Sequence, residues 1–281
     1  MDKVNSNIPL FRKKKFTTIP ICLASDNNYA IHCAVTITSI LCNSNKNTHY
    51  LFYILDGGIS KENKNKILNL NKKYKSKVIF KKINNKWFKD CPITGKNHFN
   101  IVNYYRLKIA SIFPKINKII YLDSDVIVKK SLSTLYKINV SKYYLAAAET
   151  QTSTINKKRM ELPMKSNYIN SGVLLINCKK WRKDNIEKDF FNFIKNMPLV
   201  KLLNVDQDVI NGVLYKSIKN LKQNWNTEIR TDIKPMKKYL NIIKNPYILH
   251  YVGSDKPWNK NTRQDTTEYK KYLNIFKEIN I

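Results

Sequence analysis

Short apolar runs of strand length alternate with segments of helical spacing over the first 150 residues. The helical segments place apolar side chains three and four residues apart. This alternation is typical of an α/β fold in which helices flank a mainly parallel sheet. The predicted strands are Ile19–Ala24, Tyr50–Leu55, Lys77–Ile83, Ile119–Leu122 and Tyr144–Ala148, and the predicted helices are Tyr29–Leu41, Ser60–Tyr74 with Ser60 as its N-cap, and Tyr104–Phe113.

The second half of the chain alternates less regularly. No repeat or low-complexity linker divides it, so we expect a single domain over residues 19–260. A polar, basic arm precedes this domain at 1–18, and a small helical tail follows at 261–281. The predicted strands here are Asn170–Asn177 and Tyr247–Val252, and the predicted helices are Trp181–Met197, Asp206–Leu214 and Thr266–Ile279.

The net charge is strongly positive. The 281 residues include 51 Lys and Arg against 20 Asp and Glu, a formal charge of +31. This charge favours polyanionic partners, although a base-biased genome would also enrich Lys together with Asn, Ile and Tyr. Lys outnumbers Arg, whereas base readout in nucleic acid favours Arg. Peripheral contact with an anionic membrane surface therefore fits better than specific nucleic-acid binding.

Other features of the composition indicate a cytoplasmic protein. The longest apolar runs are shorter than the roughly 18 residues that a membrane-spanning helix needs, and the N-terminus lacks the apolar segment of a signal peptide. The five cysteines are odd in number and widely spaced, which argues against a disulfide framework or a zinc site. We expect a cytoplasmic protein with peripheral contact to the cytoplasmic face of the inner membrane.

Two carboxylates stand out in a chain with so few acids. Asp123 and Asp125 directly follow a predicted buried strand, and their spacing turns both side chains the same way if the backbone stays extended. Paired carboxylates repel each other and suit a divalent cation such as Mn²⁺ or Mg²⁺, which could bridge the phosphates of a nucleotide. A solvated turn at the end of the strand is the alternative interpretation.

Three further polar segments accompany this pair. His250 ends another apolar run, either as a third metal ligand or as a core histidine. Lys256 follows a turn at Gly253 and is placed to meet a phosphate as a point charge. Asp206 and Gln207 open a helix, where acids favour the positive end; the functional interpretation puts them in a polar cleft.

Six segments occur in the order and approximate spacing of a known family. They are ASDNNYA (24–30), YYRLKIA (104–110), IIYLDSDVIV (119–128), YINSGVLLINCKKW (168–181), DQDVIN (206–211) and HYVGSDKPW (250–258). With them the chain resembles retaining glycosyltransferase family 8, in particular the bacterial lipopolysaccharide galactosyl- and glucosyltransferases and, more distantly, glycogenin. The resemblance implies a GT-A-type, Rossmann-like fold and Mn²⁺ (or Mg²⁺) as cofactor. It also implies transfer of glucose or galactose from a UDP-sugar to a glycan or glycolipid acceptor.

The resemblance also implies roles for individual residues. Gly172 either relieves a strand bulge or lets the donor sugar approach the backbone. Glu149 and Thr150 share the position of a family aspartate, and the role stays open between them. The implied positions are Asp123, Asp125 and His250 at the metal; Asp26, Asn28 and Tyr29 at the uracil and ribose; Gly253 and Lys256 at the diphosphate; Arg106, Asn170, Asp206 and Gln207 at the donor sugar; and His98 near the acceptor.

Gln207 and Asp206 are the candidate catalytic residues. The amide of Gln207 is a poor nucleophile, and Asp206 is needed for the sugar hydroxyls, so we expect front-face substitution rather than a double displacement. Membrane contact is expected to rest on the dispersed lysines and on the tail residues Tyr269, Tyr272 and Phe276. The alternatives are a basic membrane- or nucleic-acid-binding protein on a degenerate transferase fold, and self-glucosylation as in glycogenin.

Overall fold

The strands form one large and one small sheet in the computed structural model, which describes residues 17–74, 76–93, 100–235 and 237–281. Most of the predicted basic arm lies outside the described residues, and residues 17 and 18 already belong to the first strand. The strands are β1 Thr17–Ser25, β2 Thr48–Asp56, β3 Ser76–Lys82, β4 Ile119–Leu122, β5 Val126–Val128, β6 Leu145–Ala148, β7 Val173–Ile176, β8 Ile218–Leu221, β9 Thr227–Ile229 and β10 Ile248–Tyr251.

The large sheet has the strand order β3-β2-β1-β4-β7-β6-β8. Its pairings are parallel from β3 to β4 and between β6 and β8, whereas β7 runs antiparallel to both of its neighbours. The prediction of an α/β fold with a mainly parallel sheet is confirmed. Ligands of such sheets bind beyond the carboxyl ends of the parallel strands.

Helices cover both faces of the large sheet. Side chains alternate along β1, so that Ile21 packs in the cluster that contains α1 while Cys22 packs in the cluster that contains Trp181 and Phe190. The helices are α1 Ala30–Cys42, α2 Lys61–Leu68, α3 Leu70–Lys73, α4 Ile109–Ile112, α5 Ser133–Lys137, α6 Ser153–Arg159, α7 Cys178–Lys183, α8 Ile186–Asn196, α9 Val205–Leu214, α10 Lys237–Lys244 and α11 Thr267–Glu278. Shorter 3₁₀ segments are Asn85–Phe88, Ile101–Lys108, Leu199–Lys201, Tyr215–Ser217 and Gln223–Asn226.

The chain leaves the large sheet directly after β4. Residues 124 and 125 form a turn, and β5 then pairs antiparallel with β10, with Val126 opposite His250. The Asp125 carbonyl accepts a hydrogen bond from the Tyr251 amide at 3.1 Å. The backbone is therefore not extended through Asp123 and Asp125. An extended backbone was the condition under which their spacing would turn both side chains the same way. The strand pairing, rather than an alternation of side chains, brings His250 beside the two aspartates.

Three predicted helices differ from the structure, of which Ser60–Tyr74 is interrupted at Asn69 between α2 and α3. The segment Tyr104–Phe113 is a 3₁₀ helix up to Lys108 and has a single α-helical turn in α4. The Arg106 side chain donates a hydrogen bond to the Asn103 carbonyl at 3.0 Å. The segment Trp181–Met197 divides into α7 and α8 at Asn185, whose backbone is left-handed at φ 52°. Asparagine adopts this conformation more readily than most residues. In contrast, Ser60 caps α2 as predicted, accepting from the Asn63 amide.

The tail helix α11 packs against α1 rather than facing outward. Tyr269, Tyr272 and Phe276 are all buried, and the Tyr272 hydroxyl accepts a hydrogen bond from Asn43 at 2.8 Å. The expectation that these aromatic residues contact a membrane is wrong, because they complete the hydrophobic core beside α1. Among the described residues, no helix has the length and apolar character needed to cross a membrane.

Candidate functional site

A cavity of about 600 Å³ opens at the carboxyl ends of β1 and β4. Asp26 lies just beyond β1, Asp123 follows β4, and Lys256 lies in the loop after β10. The first turn of α9 adds Asp206 and Gln207 to the wall. Its position at the carboxyl edge of the sheet and its volume are those of a small-molecule binding site.

Asp123, Asp125 and His250 converge in the cavity wall. One ligand atom from each lies within 4.8 Å of the other two. His250 Nε2 is 3.3 Å from Asp125 Oδ1 and 3.8 Å from Asp123 Oδ2. Adjacent ligands of an octahedral cation with bonds of about 2.1 Å lie about 3 Å apart. The three atoms therefore need only small shifts to share one cation.

Each carboxylate has one oxygen held by cationic or polar neighbours. Asp123 Oδ1 accepts from the Tyr121 hydroxyl at 2.9 Å and lies 2.8 Å from Arg106 Nη2. Asp125 Oδ2 accepts from the Lys256 ammonium at 2.5 Å. The other oxygen of each carboxylate faces His250. Both aspartates are thus fixed in orientation while one oxygen of each stays directed at the same point.

A hydrogen-bond relay determines which nitrogen of His250 carries a proton. The Gly172 amide and Asn226 Nδ2 both donate to Asn170 Oδ1, at 2.9 and 2.8 Å. With its amide nitrogen turned to Asn170, Asn226 presents Oδ1 to His250 Nδ1 at 2.9 Å. An amide oxygen can only accept, so Nδ1 is protonated. In the neutral imidazole, the lone pair of Nε2 consequently faces the two carboxylates.

This arrangement fits a divalent cation. The Nε2 lone pair and the carboxylate oxygens would repel one another without a positive charge between them. Asp125 Oδ1 is buried and accepts no hydrogen bond. Burial opposes ionisation of Asp125, but the Lys256 ammonium and, after it, His250 outweigh burial and hold the pKa of Asp125 well below its usual range. A ligand set of two carboxylates and one neutral imidazole suits Mn²⁺ or Mg²⁺.

Arg106 is a buried cation between two carboxylates, Asp123 and Asp206. Its Nε lies 3.1 Å from Asp206 Oδ2, but the Nε hydrogen points to the Asn103 carbonyl, so this oxygen accepts no hydrogen bond. Burial raises the pKa of Asp206 to about 7; Arg106 opposes this shift and the charge of Asp123 adds to it. Asp206 therefore titrates near neutral pH in the cavity wall.

Comparison with known proteins identifies the family. The model of Glycosyl transferase family 8 matches residues 20–262. The chain belongs to this family. It is 36% identical over 246 residues to a putative glycosyltransferase of Haemophilus influenzae, covering 85% of this chain and 72% of the relative. It is 26% identical over 245 residues to the lipopolysaccharide 1,3-galactosyltransferase of Salmonella typhimurium, covering 84% and 72%.

The structural comparison agrees with this family. The galactosyltransferase LgtC, solved in complex with donor and acceptor sugar analogs, matches with a TM-score of 0.78 and 26% identity. The match covers 92% of this chain and 96% of LgtC. The expected GT-A-type fold is confirmed, and the protein is a glycosyltransferase.

The residues that the family resemblance places at the nucleotide lie only partly in the cavity wall. Asp26 and Tyr29 line it. Asp26 accepts from the Tyr29 amide at 3.0 Å and from Asn100 Nδ2 at 2.7 Å, which fixes this loop. Asn28 is exposed and is not part of the wall. His98, expected near the acceptor, lies outside the described residues.

Lys256 and Gly253 both line the cavity, as expected for residues at a diphosphate. Gly253 has φ +91°, a backbone conformation that side chains disfavour. The Lys256 ammonium is buried and donates to Asp125 and to the Tyr251 carbonyl, at 2.5 and 2.6 Å. An ammonium has three donors, so one remains for a ligand in the cavity.

The N-terminus of α9 is held in a strained conformation. Val205 has φ +42°, which is costly for a β-branched residue. Asp208, fully buried, anchors the turn by accepting from Arg159 and from the Tyr168 hydroxyl. Gln207 Oε1 accepts from the Ser171 amide at 3.2 Å. The two acidic residues of α9 thus have different surroundings. Asp208 is buried in the protein interior, whereas Asp206 lines the cavity.

The structure shows the surroundings of two positions whose roles stay open in the sequence. Thr150 lines the cavity, while Glu149 accepts a hydrogen bond from Ser153 at 2.6 Å and is not part of the wall. A Cβ at Gly172 would lie 2.2 Å from His250 Cε1 and 2.7 Å from Asp123 Oδ2. The absence of a side chain at 172 therefore leaves space for His250 and Asp123.

Asn226 and Tyr121 are the residues that sequence reasoning missed. Asn226 lies in a 3₁₀ segment with no apolar periodicity, and Tyr121 reads as an ordinary core residue of β4. Trp258, the last residue of the segment 250–258, stacks on His32 with ring centroids 3.5 Å apart. Only the pairing of β5, β9 and β10 brings Asn226 to His250, so no local sequence signal identifies it.

Proposed function

We propose that the protein transfers glucose or galactose from a UDP-sugar to a hydroxyl group of a glycolipid acceptor, with retention of anomeric configuration. The observation that carries this proposal is the convergence of Asp123, Asp125 and His250 Nε2 at one point of the cavity wall. A divalent cation at this point supplies positive charge for the diphosphate that departs from the sugar.

The order of groups along the cavity supports a nucleotide-sugar donor. Asp26 and Tyr29 lie at the end of β1, where they accommodate the uridine. Lys256 lies beside the metal-binding groups, and its remaining donor binds a phosphate oxygen. Arg106 and Asp206 lie on the other side of Asp123, where a carboxyl group and the fixed guanidinium beside it bind sugar hydroxyls.

The reaction exchanges one C–O bond for another at the anomeric carbon. The bond to the diphosphate breaks with both electrons leaving on the phosphate oxygen, and the acceptor oxygen bonds to the same face. The acceptor proton passes to the departing phosphate oxygen, so no separate base is required. Lys256 stabilises the negative charge on the diphosphate as it leaves.

Gln207 favours front-face attack over a covalent intermediate. Its amide oxygen already accepts a hydrogen bond from the Ser171 amide, which lowers the electron density available for attack. Asp206 lies 3.1 Å from the fixed Arg106 guanidinium, so we assign it to binding of the sugar rather than to displacement. Gln207 then shields the positive charge that develops on the sugar.

The relatives support the proposed acceptor class, and the cysteines support the proposed location. A lipopolysaccharide 1,3-galactosyltransferase and a lipopolysaccharide 1,2-glucosyltransferase are similar to this chain over most of its length, which supports a glycolipid acceptor. All five cysteines are free and four are buried, as expected in the reducing cytoplasm. We place the reaction there.

The test is UDP release from a panel of UDP-sugars, with and without Mn²⁺. We expect UDP-glucose or UDP-galactose to be hydrolysed only with the metal, and Asp123→Asn to lower the rate by at least about a hundredfold. Asp189→Asn removes the same charge from the exposed face of α8 and should leave the rate unchanged. Proton NMR of the released sugar should show the α-anomer first.

Two results would contradict the proposal. One is turnover that is independent of both the metal and Asp123. The other is the absence of turnover for every UDP-sugar while wild type and Asp123→Asn bind heparin equally, which is the behaviour expected of a basic binding protein on a degenerate transferase fold.

A further inference from the structure

Two neighbouring surface segments beside the cavity expose large apolar side chains. Ile155 on α6 and Met164 in the loop after it are 68% and 52% exposed, and Leu199, Val200 and Leu203, between α8 and α9, are 64%, 76% and 41% exposed. In the described ranges ten large apolar residues are exposed to this degree, so half of them lie here. We call these five residues the apolar rim.

The two segments are joined to each other and to the cavity. The Arg159 guanidinium on α6 donates to the Lys201 carbonyl and pairs with Asp208 of α9. Asn204 Nδ2 donates to Asn156 Oδ1 at 3.2 Å. At the cavity end of the segments, Thr152 and Asn204 line the wall. The apolar rim is therefore a fixed surface that borders the cavity mouth.

The charge around the apolar rim indicates what covers it. Residues 155–165 and 195–203 contain six basic side chains and a single acid, Glu161. Glu161 is paired with Lys201 at 2.7 Å, and Lys158, Lys165 and Lys195 are exposed. A second copy of this chain, itself at +31, would be repelled. Apolar residues ringed by lysines suit an anionic lipid bilayer, which accepts both insertion and positive charge.

We infer that the apolar rim docks on an anionic lipid bilayer and places the cavity mouth at the membrane surface. This inference rests on the proposed function, because a lipid-linked acceptor would then reach the cavity without leaving the bilayer. The apolar side chains insert at the headgroup boundary, and Lys158, Lys165 and Lys195 contact the lipid phosphates. The tail helix, whose aromatic residues are buried, has no part in the contact.

The test is co-sedimentation of the full-length protein with vesicles of phosphatidylcholine, with and without phosphatidylglycerol. The wild type should bind the anionic vesicles. Leu199→Ser combined with Val200→Ser should lower the partition coefficient at least about tenfold, from the lost burial of two apolar side chains. The control pair, Leu68→Ser with Leu240→Ser, removes equally large exposed residues from α2 and α10 and should bind like the wild type.

Charge variants distinguish docking through the apolar rim from the general electrostatic attraction of a basic protein to anionic vesicles. Lys158→Gln with Lys165→Gln should weaken binding by roughly tenfold or more, because each lysine at the surface contributes about fivefold. Lys72→Gln with Lys73→Gln lowers the net charge equally on α3 and should have a smaller effect. UDP-sugar hydrolysis in solution should be the same for all these variants, which shows that they are folded and tests the transferase reaction separately.

Three outcomes would overturn the inference. The wild type does not bind anionic vesicles, the rim variants bind as well as the wild type, or the rim and control variants lose binding equally. Light scattering adds a fourth: a wild-type dimer that the Leu199→Ser, Val200→Ser variant converts to a monomer, with vesicle binding unchanged, would assign the surface to a second copy.

Discussion

Replacement of Asn226 by leucine tests the relay that orients His250. Leucine has the same branched skeleton as asparagine, although it is bulkier, and it cannot accept from Nδ1–H. Leaving that buried donor unpaired costs about 1–3 kcal/mol, which the imidazole avoids by moving its proton to Nε2. The proton then points at Asp125 Oδ1, 3.3 Å away, where the lone pair should bind the cation.

The expected loss is therefore in metal affinity more than in folding. Removal of a partner of a ligating histidine typically weakens metal binding about 10–100-fold, or about 1.4–2.7 kcal/mol. The assay is titration of free Mn²⁺, followed by electron paramagnetic resonance in the presence of UDP. Thermal unfolding without metal shows whether the variant is folded.

Two variants serve as controls for Asn226→Leu. Asn226→Asp keeps an acceptor for Nδ1–H and should hold Mn²⁺ within about threefold of the wild type, because carboxylates commonly orient ligating histidines. Asn224→Ala removes a nearby asparagine that donates only to the Asn245 carbonyl and should have no effect. The relay is refuted if Asn226→Leu binds Mn²⁺ like the wild type, or if Asn226→Asp loses as much affinity as the leucine variant.

Three further variants test other parts of the site. Gly172→Ala puts a Cβ 2.2 Å from His250, so overpacking should cost about 1–3 kcal/mol in urea unfolding and weaken Mn²⁺ binding by magnetic resonance; unchanged values of both would contradict the close contact. Asp206→Asn concerns a carboxyl whose pKa rises from 3.8 to about 7 on folding, so the stability that this group contributes to the wild type is lost as the pH rises from 4 to 7. Relative to the wild type, the free energy of unfolding of the variant should therefore increase by a few kcal/mol over this pH range. Parallel pH profiles of the melting temperature would refute the raised pKa. Tyr168→Phe deprives Asp208 of one donor and should cost about 1–2 kcal/mol in urea unfolding, with the affinity for UDP retained; equal stability would show that Arg159 and the Asn204 amide satisfy this carboxylate without the hydroxyl.

The pattern of apolar residues predicted the buried strands of the large sheet, because apolar side chains determine their position. Buried runs such as Ile119–Leu122 are strands in the structure with the predicted bounds, because each face of the sheet is covered. The strands β8 and β9, with the sequences IKNL and TEI, were missed because their backbone pairing is not matched by apolar alternation. The helix break at Asn185 was missed for a similar reason, since it depends on one left-handed residue.

The candidate site was predictable in residue type but not in geometry. The resemblance supplied Asp123, Asp125 and His250 together, and the structure brings them within coordination distance. Their convergence depends on the register of β10 against β5, which pairs residues more than a hundred positions apart. The role of Asn226 depends on the same strand pairing. The buried hydrogen bond from Lys256 to Asp125 could not be derived from the spacing of these residues in the sequence.

The central claim is best tested by a crystal structure of the protein with UDP and Mn²⁺, using the anomalous scattering of manganese. We expect one strong anomalous peak bonded to Asp123, Asp125 and His250 Nε2 and to oxygens of the diphosphate, with the uracil near Tyr29. A manganese peak away from these three side chains, or UDP bound outside the cavity, would contradict it.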